Sequence, residues 1–149
     1  MEILVPLEYQ MAVRLQQENR FNENDVKSFV HHLFALFDKH VDVNQFLLLI
    51  VDEDLEMQFP EITLHSHADF KKWYVGIGEK YVSNTHQVER LSVKFPGAGK
   101  YEVDLVVYWQ AVTRENKYIS FRVHQVWTLD DGNGGQWPRI LRYIVEELK

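Results

Sequence analysis

The chemistry open to this chain is that of imidazole, carboxylate, amide and hydroxyl groups. It contains no cysteine, so thiolate nucleophiles, thiolate metal ligands and disulfides are all excluded. Among the seven histidines, His65 and His67 stand two apart and can share a strand face, with Asp69 nearby. A metal site needs three or four converging ligands, and His67 and Asp69 fit a helix start better. The adjacent His31 and His32 diverge by ~100° around a helix. No metal is expected. Gly97-Ala98-Gly99-Lys100 has part of a phosphate loop, but that loop needs Gly, four residues, then Gly-Lys-Ser/Thr before a helix. Here Tyr101 follows and a strand begins. Asp130 to Gly135 lacks the ligand spacing and the distal Glu of a calcium-binding loop. Both stretches read as turns. No nucleophile elbow and no Ser-His-Asp constellation is recognisable.

The remaining polar candidates need elements to hold them, and hydrophobic periodicity supplies these. Residues 1–20 form an N-terminal arm, in which Leu7, Met11 and Leu15 predict a short helix from Leu7 to Gln17. The domain proper covers 21–149. Asn22 or Asn24 can cap a helix whose stripe is Val26, Val30, Leu33 and Phe37, widened by Phe29 and Leu36. Asp42 can cap a second helix through Phe46, Leu47 and Ile50. Leu55, Met57 and Phe59 alternate with Glu56 and Gln58, a half-buried strand that Pro60 ends and that Ile62 and Leu64 continue after a break. Ser66-His67-Ala68-Asp69 reads as a capping box. It opens a helix buried along Phe70, Trp73, Tyr74, Ile77 and Tyr81, in which Gly76 and Gly78 permit close packing.

From Thr85 onward the chain is nearly all strand. Val88 to Phe95 ends at the Pro96–Gly99 turn. Tyr101 to Thr113 and Tyr118 to Leu129 are long alternating strands. Trp137 to Leu148 fits a strand or a helix equally well. Helices first, then a meander of strands, predict an α+β fold with a curved antiparallel sheet wrapped around the N-terminal helices. Alternation puts Trp109, Gln125 and Trp127 on the inner face. Asp104, Val106, Tyr108, Arg122, His124 and Val126 fall on the outer face. Val106, Tyr108 and Val126 suit a homodimer surface.

Bulk properties narrow the function. The 149 residues are 46% hydrophobic and 13% aromatic, enough for one packed core in a single domain. Net charge is −6, and no Lys/Arg cluster offers the basic footprint that nucleic acid requires. The longest apolar run, Phe46 to Val51, is far short of the ~20 residues of a membrane helix. Met1-Glu2 with Pro6 close behind is not a signal peptide. A cytoplasmic protein with neither membrane nor nucleic-acid partner is expected.

This order of elements resembles the nuclear transport factor two-like superfamily, also called the SnoaL-like or ketosteroid-isomerase-like cone fold, over roughly Asn22 to Leu148. The residues that carry the likeness are Phe37-Asp38 near the end of the long helix, Asp52-Glu53-Asp54 before Leu55-Glu56-Met57-Gln58-Phe59-Pro60, the capped helix around Trp73-Tyr74, His86 opening a strand, and Val126-Trp127-Thr128-Leu129-Asp130. The resemblance implies an apolar pocket between the sheet and the long helix. It also implies a homodimer through the outer sheet face.

Within that superfamily the chain is similar to scytalone dehydratase at two points. Phe37-Asp38 stands where that enzyme has an aromatic-Asp pair, and Thr85-His86 where it has a His opening its third strand. The likeness implies a His86–Asp38 dyad. A histidine titrates near neutrality, and a carboxylate on one ring nitrogen fixes its tautomer and raises its basicity. Such a dyad could remove a proton beside a carbonyl. Against ketosteroid isomerase, Phe59 stands at the position of the general-base Asp, Gln125 at that of the oxyanion-hole Asp, and the phenol donor falls near Leu33. An apolar residue accepts no proton, so that chemistry is disfavoured.

Two functions are compatible with these residues. One is a cofactor-independent lyase or isomerase acting on a small apolar carbonyl or hydroxyl compound. His86 and Asp38 would carry the chemistry, Gln125 would donate to the substrate oxygen, and Trp109, Trp127, Phe59 and Trp73 would contact the ligand. The other is a non-catalytic ligand-binding or dimeric interaction module, or a structural small subunit resembling that of aromatic-ring dioxygenases. There Gln125 would be a satisfied buried amide and the aromatics core filling.

Overall fold

The computed structural model describes residues 5–11 and 19–148. Residues 7–11 of the arm are helical and exposed, and the Gln10 amide donates to the Pro6 carbonyl at 3.0 Å. The rest of the predicted arm helix lies outside the described residues. The first long helix, α1, spans Glu23–Lys39. It starts at Asn22, because this side chain accepts from the Asp25 amide at 2.8 Å while Asp25 accepts from the Asn22 amide at 2.9 Å. Replacing Asn22 by Ala removes half of that reciprocal cap. Urea unfolding should register a loss of about 0.5–2 kcal/mol. No change would mean that tertiary packing alone fixes the helix start.

One buried stripe of α1 carries Val26, Phe29, Val30, Leu33 and Phe37 and supplies one side of the core. The helix expected after Asp42 does not form. Asp42 caps only a 3₁₀ turn, Val43–Gln45. The apolar run that follows is claimed by the sheet: the Val51 amide donates to Ile140 O at 3.0 Å and the Ile140 amide to Leu49 O at 2.8 Å.

The strands are β1 (Glu56–Gln58), β2 (Thr63–Leu64), β3 (Tyr81–Gly97), β4 (Lys100–Thr113), β5 (Tyr118–Asp130) and β6 (Arg139–Leu148), in the sheet order β2-β1-β6-β5-β4-β3. The meander β3 to β6 is antiparallel, as expected. The sheet as a whole is mixed, because β1 joins β6 in parallel, Met57 opposite Tyr143. Ile62 and Leu64 do not continue β1. They turn back, and Leu64 pairs antiparallel with Met57. The ambiguous C-terminal segment is a strand, since both its edges are paired. Among the described residues, no helix is long and apolar enough to cross a membrane.

The second long helix, α2, spans His67–Lys80. Ser66 Oγ accepts from the Asp69 amide at 3.1 Å. Asp69 reaches one residue further back than a capping box requires and accepts from the His65 amide at 2.9 Å. Phe70 and Tyr74 are buried, Trp73 and Ile77 half-buried, and Tyr81 already begins β3. Gly78 is needed for close packing: a Cβ there would lie 2.5 Å from His40 Nε2. Gly76 has open space in that position. His40 ends α1 in the left-handed region (φ 47°) and stacks on Tyr74 at 4.3 Å. The two helix ends thus meet over one end of the sheet, and the inner face of β3–β6 lies beneath them.

Candidate active site

A cavity of about 360 Å³ opens where these elements meet. Its helical walls are Phe37 and His40 from α1 and Trp73, Tyr74, Ile77 and Lys80 from α2. The segment after β1 contributes Phe59, Pro60 and Glu61. From the inner sheet face come Asn84 and His86 on β3, Trp109 on β4, Val123 and Gln125 on β5, and Tyr143 and Val145 on β6. Most of this lining is aromatic or aliphatic. A small apolar molecule would therefore gain by burial, and the few polar groups would orient it.

His86 and Asp38 meet at this wall. His86 Nδ1 lies 2.7 Å from Asp38 Oδ1. The second carboxylate oxygen accepts from the His86 backbone amide at 3.3 Å, so one carboxylate holds both the ring and the strand beneath it. The ring lies against Phe34 at 4.7 Å and 12°, and Phe37 leans on it at 5.9 Å. An ionised carboxylate only accepts hydrogen bonds. It therefore keeps the proton on Nδ1 and leaves the Nε2 lone pair available. The His86 side chain is 13% exposed and that of Asp38 28%. The histidine is thus largely withdrawn from solvent, and the carboxylate keeps contact with it.

The aromatic candidates divide. Phe59 and Trp73 stack on each other at 4.4 Å and 17°, forming one wall. Trp109 forms another, parallel to Phe121 at 6.1 Å and edge-on to Tyr81 at 5.3 Å. Trp127 is not a wall residue. It is fully buried behind the cavity, stacked on Tyr143 at 4.8 Å, and its Nε1 donates to Gln125 Oε1 at 2.8 Å. Gln125 does face the cavity, with its carbonyl oxygen already taken.

Two other phenols near the site are held in their protonated form. Burial, reinforced by the Asp42 charge, pushes Tyr74 up to about 12, and its hydroxyl donates to the Val41 carbonyl. Burial likewise raises Tyr143 well above the ordinary phenol range. Neither can act as a phenolate near neutrality. The indole N–H of Trp73 is buried with no hydrogen-bond partner among the described residues.

Residues that alternation from Thr85 onward did not reach also line the site. Asn84 and Tyr81 precede the expected strand start, because β3 follows α2 without a loop. Counting back by two from His86 finds Asn84. His40 and Tyr143 carry no such local signal.

Three other histidines are engaged elsewhere. His67 Nε2 bonds the Ile50 carbonyl at 2.7 Å. His32 stacks on Trp137 at 4.7 Å, and His124 pairs with Asp104 at 3.0 Å on the outer face. Among the described residues, no three His, Asp or Glu side chains cluster as metal ligands would.

No protein-family model matches this sequence, and no curated protein matches it. Solved structures do. A candidate scytalone dehydratase from Novosphingobium aromaticivorans is similar at 16% identity and a TM-score of 0.75, over 85% of this chain and 83% of that one. A nuclear transport factor 2-like superfamily protein from Salmonella enterica is similar at 10% identity and a TM-score of 0.72, over 95% and 94%. The hexachlorocyclohexane dehydrochlorinase LinA-type3 from Novosphingobium barchaimii is similar at 14% identity and a TM-score of 0.68, over 96% and 88%. At these identities the likeness is one of fold: the chain has the nuclear transport factor two-like cone fold.

Proposed function

We propose that this chain is a cofactor-independent lyase that removes water from a small, largely apolar hydroxy-carbonyl compound. The observation that carries the reading is the 2.7 Å His86–Asp38 contact at the wall of an open aromatic cavity. Two of the structural neighbours bear the names of eliminations, a dehydratase and a dehydrochlorinase, which agrees with it.

In this reaction the Nε2 lone pair of His86 takes a proton from the carbon beside the substrate carbonyl. The released electron pair becomes the new C=C bond as the β-hydroxyl leaves. The imidazolium returns the proton to that oxygen, and water departs. Asp38 holds the tautomer and stabilises the transient positive charge. A positioned general base within hydrogen-bond reach contributes typically ~10²–10⁴-fold in rate. The test is ultraviolet detection of the conjugated enone formed from 4-hydroxy-4-phenylbutan-2-one. Enone formation by the full chain that depends on His86 supports the reading. Absence of turnover on this and related β-hydroxyketones favours the non-catalytic binding module.

Asp38 acts through His86, so its replacement has a distinct signature. In Asp38→Asn the side-chain amide can present its NH₂ to Nδ1, which moves the ring proton to Nε2 and blocks the base. We expect kcat to fall by about 10²-fold, at the low end of general-base effects, with KM little changed. An equal rise in KM with kcat preserved would make Asp38 a binding group instead.

The same proposal includes a homodimer through the outer sheet face. Val106, Tyr108 and Val126 are half-buried there. The charges around them are paired within the chain, Arg122 with Glu89 at 2.8 Å and His124 with Asp104 at 3.0 Å. Elution at the mass of two chains on gel filtration supports this; a monomer counts against it.

A further inference from the structure

We propose that Asn84 is the hydrogen-bond donor that receives the substrate's oxygen beside His86, making the site selective for carbonyl-bearing compounds over hydrocarbons of the same shape. The role of His86 in this statement rests on the proposed lyase function; the role of Asn84 in binding does not.

Asn84 and His86 are two residues apart on β3 and so project from the same face, about 6.7 Å apart along the strand. Both line the cavity. Asn84 is only 9% exposed, and no hydrogen bond to its side chain is present among the described residues. Its amide is not among the fully enclosed side-chain atoms left without a partner, so it keeps surface in the cavity. Its backbone lies in the ladder opposite Ala111, so the side chain is held in place by the strand. It also lines a second, smaller cavity of about 160 Å³ that includes Asp38.

An acceptor entering the cavity would replace solvent at this fixed donor, a modest net gain for the hydrogen bond made. Of the other polar groups near the dyad, Gln125 Oε1 is committed to Trp127, the Tyr74 hydroxyl to Val41 and His86 Nδ1 to Asp38, while the unpaired Trp73 Nε1 is enclosed and has no surface for a ligand to reach. The spacing also suits the chemistry. A carbonyl oxygen on the Asn84 amide leaves its neighbouring C–H within reach of the His86 ring. As that proton leaves, negative charge grows on the oxygen, where a preorganised donor is most effective.

The test uses two probes of nearly the same shape, acetophenone and α-methylstyrene, which differ in C=O against C=CH₂. Each is titrated into the full chain, with the fluorescence of wall residues Trp73 and Trp109 as the readout. The wild type should bind acetophenone about five- to tenfold more tightly, the effect of one net hydrogen bond. Asn84→Leu, which keeps the volume and removes the donor, should bring that ratio to about one. Asn84→Asp, an acceptor only, should bring it to one or below, and decides the matter if the leucine variant fails to fold. His86→Gln should leave the ratio unchanged.

A ratio unaltered in a folded Asn84→Leu or Asn84→Asp protein overturns the assignment, as does a wild type without preference. A ratio abolished by His86→Gln moves the donor to His86 and also overturns it. If the ratio depends on Asn84 while no enone forms, the lyase reading fails; if enone forms equally well in His86→Gln, the role of His86 fails; in both cases the Asn84 assignment stands.

Discussion

His86→Gln lowers the rate of 4-hydroxy-4-phenylbutan-2-one dehydration by about 10²–10⁴-fold, the contribution of a positioned general base. Glutamine fills a similar space and can still donate to Asp38, but its amide has no lone pair that titrates near neutrality. The fold should survive. Asp38 keeps its bond to the backbone amide of residue 86. Phe34 and Phe37 lose an aromatic neighbour, a contact worth about 0.5–1.5 kcal/mol. Enone formation and thermal unfolding, measured on the same preparation, separate the two roles. A lost rate with a melting temperature within a few degrees of wild type makes His86 the base. A collapsed melting temperature makes it a structural histidine.

Trp127→Ala has the largest expected effect on stability. Trp127 is fully buried, stacked on Tyr143 and edge-on to Phe34 at 5.4 Å and Phe29 at 6.4 Å. Truncating a buried tryptophan costs about 3–5 kcal/mol through lost transfer energy and the void left behind. The variant also removes the donor to Gln125 Oε1. Against a net stability of about 5–15 kcal/mol for a typical domain, that is a large share. Urea unfolding should show a lowered midpoint. Phe34, which backs the His86 ring, would lose its own support, so the dyad should loosen as well. A loss under about 1 kcal/mol, where exposed-site substitutions fall, would mean that Trp127 borders open space and belongs to the cavity wall.

How far the sequence could be read depended on whether a local rule or a distant partner decided each element. The cap at Asn22 and the stripe of α1 were legible because both follow from residues within one helical turn of each other. The β4 and β5 faces were legible because buried and less buried positions alternate over Tyr101 to Val107 in one and His124 to Asp130 in the other. The run from Phe46 to Ile50 was not. Its period favours a helix, but backbone pairing with Ile140 was available only once β6 had been placed. Trp137 to Leu148 was ambiguous for a related reason, since one of its two neighbours in the sheet, β1, lies far away in the chain, Glu56 opposite Arg142.

The candidate site divides in the same way. Residue types and the order of elements are properties of the sequence. They were enough to exclude thiol chemistry, to set aside the phosphate-loop and calcium-loop lookalikes, and to draw attention to His86, Asp38, Gln125, Trp109, Phe59 and Trp73. The tertiary structure decided which of these groups are free to act. It brought His86 and Asp38 together across 48 residues of chain. It turned Trp127 inward and tied Gln125 to it, and it left the Asn84 amide unpaired in the cavity wall. Hydrogen-bond satisfaction depends on every neighbour in space, and those neighbours come from five or six separate elements. No periodicity within a single element can report which polar group is left over when the sheet and helices close around one another.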